Sequence, residues 1–154
     1  MLYLWLKYIH ILSSTLLFGT GLGTACVLLY GHSTKNMSTM AVCNQYVVLV
    51  DWLFTGISGF IQALTGFWMI YLAGYSFKSL WIWGAITGYT FTACCWLPVV
   101  YFQIKLRDII IMCIKNKTSL PAEYHYYFRW WFFLGWPAFI SLLIVFYFMI
   151  MKPM

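Results

Sequence analysis

Apolar residues run along this chain in four long stretches separated by short polar connections. The stretches cover about residues 4–30, 47–72, 80–111 and 130–151. Each meets the roughly 20 residues that a helix rising 1.5 Å per residue needs to cross a hydrocarbon core ~30 Å thick. Of the connections, residues 31–46 carry Gly-His-Ser-Thr-Lys-Asn, 73–79 read as a tight turn, and 113–128 carry Lys-Asn-Lys-Thr-Ser-Leu-Pro. No segment remains for a soluble domain. The pattern predicts an all-α polytopic membrane protein, a single domain over residues 1–154, built as an antiparallel bundle of four transmembrane helices.

Composition narrows the function classes. Of 154 residues, 64% are hydrophobic and 8% charged, against about a quarter charged in soluble domains. So few charges cannot wet a globule, which excludes a cytosolic enzyme, a disordered tail and a free nucleic-acid-binding domain despite the net charge of +6. The basic residues form no stripe, so nucleic acid is not an expected partner. The expected partners are the lipid bilayer and, through helix faces, other membrane proteins or a second copy. The charges also give an orientation. Lys35, Lys105, Arg107, Lys115, Lys117 and Arg129 fall on the side of the first and third connections, Lys7, Lys78 and Lys152 on the other. Basic residues in short loops stay in the cytoplasm, which places both termini on the non-cytoplasmic side. The five cysteines show no Cys-x-x-Cys spacing, so neither a disulfide framework nor a zinc site is expected. The first apolar run has neither a basic start nor a small-residue cleavage site and reads as a retained helix.

Polar residues inside apolar spans are where chemistry would show, because each costs a few kcal/mol in lipid unless it is paired or faces the interior. Asp51, Thr55, Ser58, Gln62 and Thr65 recur at spacings of four, three, four and three, which puts them on one helical face. Asp51 is the carboxylate deep in a span, and the economical partner for it is an interhelical ion pair with Arg107 or Arg129; a proton relay is the functional alternative. Lys7 and His10 share a face of the first helix. Lys7 is near enough to the helix start to reach the headgroups. His10 is not, so its imidazole either hydrogen-bonds a neighbouring helix or ligates a metal, with haem iron the metal to consider and Met69, Met149 and Met151 at a similar depth. Gly19, Gly21 and Gly23, and the Gly84 and Gly88 pair, read as surfaces for close helix packing. Trp81, Trp83, Trp130 and Trp131 read as interfacial belts.

The strings DWLFT at Asp51, LTGFW at Leu64, CWLPVVYFQIKLRD from Cys95, LPAEY at Leu120 and FRWWFFLGWPAF from Phe128, with the closing Lys152–Pro153, resemble an uncharacterised bacterial family of predicted four-helix integral membrane proteins. That resemblance spans nearly the whole chain and implies a bacterial inner-membrane location. A more distant similarity is to HemJ-type protoporphyrinogen oxidases and copper-resistance D-type membrane proteins, which also begin with Lys-x-x-His and close with an arginine, an apolar helix and Lys-Pro. It implies that His10 is a candidate axial ligand for haem b and Lys7 a candidate partner for its propionates. The third helix here reads LWIWGAITG and lacks the lysine those oxidases carry, so catalytic residues stay unassigned. Two functions remain open: a redox-associated haem or porphyrin protein, and a non-catalytic membrane subunit that packs through its glycine faces.

Overall fold

The computed structural model describes residues 1–153. It is all-helical, with no strand among the described residues. Helix α1 spans Leu2–Ser33, α2 Met37–Val50, α3 Ile57–Ala73, α4 Leu80–Asn116 and α5 Ala122–Met151. A six-residue π turn, Asp51–Gly56, joins α2 to α3 without a break, so the five helices form four rods.

The rods extend well past the length of a membrane crossing. The connection expected over 31–46 shrinks to three residues, because Asn36 caps α2: its side-chain Oδ1 accepts from the amides of Ser38 and Thr39 at 3.0 and 3.2 Å. Left-handed residues stop the other helices, Gly74 after α3 and Lys117 after α4. Three rods, Leu2–Ser33, Met37–Ala73 and Ala122–Met151, are long and apolar enough to cross a membrane. Helix α4 is more mixed. Gly84, Thr87, Gly88 and Tyr89 dilute its first half, and Lys105, Arg107, Asp108 and Lys115 charge its second.

Helix α1 packs on both α2 and α3, α4 packs on α5, and the two pairs meet mainly where α2 touches α4. The densest core lies at that end: Leu28, Met40, Val47, Leu106, Ile110 and Tyr124 are all at most 1% exposed. A smaller core of Ile70, Trp81 and Ile82 closes the opposite end. Small residues hold α4 to α5: a Cβ added at Gly84 would lie 2.7 Å from the Phe148 ring, one at Gly88 2.8 Å from Val145, and Ser141 Oγ donates to the Gly88 carbonyl at 2.8 Å.

Two expectations change here. The glycines at 19, 21 and 23 pack against no other helix of this chain, since a Cβ at any of them would meet nothing within 4 Å. Trp131 and Trp81 are not belt residues: they are 4% and 8% exposed and belong to the two cores, whereas Trp83 and Trp130 stay on the outer surface.

Candidate functional site

Asp51 opens the π turn, and the wider backbone there carries its carboxylate inward between α1 and α4. Such turns are rare and concentrate at functional sites. Three neutral groups donate to the carboxylate. Thr24 Oγ1 of α1 and Thr55 Oγ1 of the same turn reach Oδ1, each at 2.9 Å, and Gln103 Nε2 of α4 reaches Oδ2 at 2.7 Å. Thr20 Oγ1 extends the cluster to Thr55 Oγ1 at 3.0 Å. Asp51 is 3% exposed and Gln103 2%.

The expected ion pair is therefore not formed. The one ion pair among the described residues joins Arg107 to its neighbour Asp108 at 2.8 Å, and Arg129 has none. The reason is depth: Gln103 lies one turn before Arg107 on the same face of α4, level with the carboxylate, and supplies the donor instead.

Beside this cluster lies a cavity of about 560 Å³, walled by α1, the π turn, α3, α4 and α5. Its volume falls within the ~300–1,000 Å³ of small-molecule sites. The wall is largely aromatic and aliphatic, with Phe18, Tyr89, Trp96, Trp136 and Phe139 around the carboxylate cluster and Gly21, Gly56 and Gly59 leaving room. Phe18 stacks on Phe139 at 5.3 Å between centroids and meets Phe146 edge-on at 5.5 Å, linking α1 to α5 beside the cavity. Three wall residues hold a buried side-chain polar atom without a partner in the protein: Gln103 Oε1, Trp96 Nε1 and Trp131 Nε1. Each such atom costs about 1–3 kcal/mol, so the packed wall of this cavity concentrates unmet polar atoms.

His10 forms a second polar cluster, nearer the end of the rods where the chain begins. Nδ1 contacts Thr65 Oγ1 at 2.8 Å and Nε2 contacts the Gln62 amide at 2.9 Å, while Ser13 Oγ donates to Gln62 Oε1 at 2.5 Å. Both ring nitrogens are occupied, and a Cβ at Gly66 would lie 3.2 Å from His10 Cε1, so α3 covers the ring edge. The adjoining cavity, which Met149 helps line, holds about 90 Å³. An axial haem ligand needs a free nitrogen and room for a macrocycle, and His10 offers neither in this arrangement. Its partners Gln62 and Thr65 lie on the polar face already legible in the sequence. Lys7 does not join His10: it is exposed, close enough to Tyr75 for its charge to act on that phenol.

Sequence reasoning missed Thr24, Gln103, Trp96 and Trp131. Gln103 had a signal, since an amide inside an apolar run carries the same cost as any other buried polar group. The indoles had none, because a tryptophan in a span is usually apolar filling.

Across the near-complete length, residues 4–153, the chain matches the family described as "Predicted integral membrane protein (DUF2269)". No curated protein and no solved structure matches it, HemJ-type oxidases included. With the match covering all but the ends of a chain made of long apolar rods, the protein belongs to this family of predicted integral membrane proteins.

Proposed function

We propose that the chain crosses the membrane four times as an antiparallel bundle and binds a lipid-borne small molecule in the cavity beside Asp51. The observation that carries the reading is a coincidence of place. The buried carboxylate with its three donors and the π turn line one largely aromatic cavity of ligand size. Between α1 and α5 the rods are bridged by side-chain rings with little backbone approach, and the seam around Phe18 is the entrance from lipid in this reading. The six-to-three distribution of basic residues favours both termini outside, in a bacterial inner membrane. Haem b at His10 is not part of this reading, since the histidine is saturated by hydrogen bonds.

Gly21→Leu tests it, because Gly21 lines the cavity and a Cβ there meets nothing within 4 Å. Native mass spectrometry of protein purified in mild detergent is expected to show a small lipophilic species retained by the wild type and lost from the variant. An identical set of bound species in both overturns the reading.

A second reading, a subunit that assembles with another membrane helix, is favoured by Gly19 and Gly23. They form an exposed Gly-x-x-x-Gly on α1 with open space around it. If it holds, Gly19→Leu abolishes a crosslinked complex that Gly21→Leu leaves intact.

A further inference from the structure

We infer that the cavity beside Asp51 is built for an organic cation, a protonated amine or quaternary ammonium carried on an apolar, partly aromatic body. The inference rests on the reading of that cavity as a ligand site.

The argument begins with unequal hydrogen bonding. An ionised carboxylate offers about four acceptor positions. Thr24, Thr55 and Gln103 fill three of them, and every donor is neutral. One position on Oδ2 stays open, and Gln103 Oε1, on the same amide that reaches Oδ2, has no donor. No cation of the protein comes within ion-pair distance of Asp51 among the described residues. What the cluster lacks is positive charge, in surroundings where an unpaired charge is costly.

The walls set the size and character of the missing group. A metal ion would leave most of about 560 Å³ empty, and no group of three metal-ligating side chains exists among the described residues. Trp96, Tyr89, Phe18 and Phe139 instead give the wall an aromatic character, and aromatic rings attract alkylammonium and quaternary cations and solvate an apolar body at once.

Three probes of similar bulk separate charge from shape: tetraphenylphosphonium, the oppositely charged tetraphenylborate, and neutral triphenylphosphine oxide. Each is titrated into the purified full chain in non-ionic detergent and followed by tryptophan fluorescence and calorimetry. Tetraphenylphosphonium is expected to bind saturably and at least 10-fold more weakly to Asp51→Asn, whereas neither other probe responds to that substitution. Equal affinity of tetraphenylphosphonium for wild type and Asp51→Asn, tighter binding of tetraphenylborate, or no binding of the cation at all overturns the inference. In any of these cases a ligand lost on Gly21→Leu still leaves the cavity reading standing. Should Asp51→Asn fail to fold, Gln103→Lys serves instead: it places an internal ammonium beside the carboxylate and is expected to displace the cation, and unchanged affinity there is equally fatal.

Discussion

Gln103 and Asp51 join α4 to the π turn through a 2.7 Å hydrogen bond between two side chains that are each almost wholly buried. Gln103→Met removes the donor and leaves Oδ2 bare, with an expected loss of about 1–2 kcal/mol in thermal unfolding in detergent. Arg107→Gln, one turn further on, breaks only the partly exposed pair with Asp108 and is expected to cost less than about 0.5 kcal/mol. Equal losses from the two would mean that the arginine supports the carboxylate after all.

Glycine substitutions separate the two kinds of glycine surface. Gly84→Ala puts a methyl 2.7 Å from the Phe148 ring and is expected to destabilise by about 1–3 kcal/mol. Gly21→Ala meets nothing within 4 Å and gains helix propensity, so it is expected to be neutral or stabilising by up to about 1 kcal/mol. Urea or heat unfolding of the two variants side by side decides this, and a loss at Gly21 as large as at Gly84 refutes the assignment.

At the opposite cluster, His10→Phe leaves Thr65 and the Gln62 amide without their partner and is expected to cost about 1–3 kcal/mol. Haemin added to purified protein is expected to give the same absorption spectrum with and without His10. A Soret shift that vanishes in the variant would reinstate the histidine as a ligand.

Outside the spans, Lys152 Nζ donates to the Tyr75 hydroxyl at 3.2 Å, and that bond together with the ammonium's charge holds the phenol below its ordinary pKa near 10. The sign follows from the depressed folded value: the tyrosinate pair stabilises the fold above the unfolded value near 10 and ceases to do so as pH falls through the lowered one. Ultraviolet difference titration is expected to find one tyrosine ionising early in wild type and none in Lys152→Gln.

Much of this was legible in the chain. Long apolar runs sufficed for the helices, and four-and-three spacing was enough to place Asp51, Thr55, Ser58, Gln62 and Thr65 on one inward face. What the pattern could not supply was relative depth between helices. Arg107 and Gln103 share a face of α4, so periodicity alone could not say which one stands level with Asp51, and charge argued for the wrong one. Connection length was misread for a similar reason: polar residues at 31–46 and 113–128 read as loop, yet Asn36 and the buried side chains of Met40 and Tyr124 carry the helices through them. The cavity had no signature at all, since it is a space left between rods, with open room beside Gly21, and no single residue type marks it.

The π turn has a further consequence for how this protein can be altered. A π turn takes up one extra residue without changing the angular phase of the helix on either side. Excising a single residue from within 52–56 and letting the rod close into ordinary helix would therefore keep Gln62 and Thr65 facing His10, while the backbone at the carboxylate narrowed. The two polar clusters on this rod are thus separable by one deletion, so each can diverge without the other.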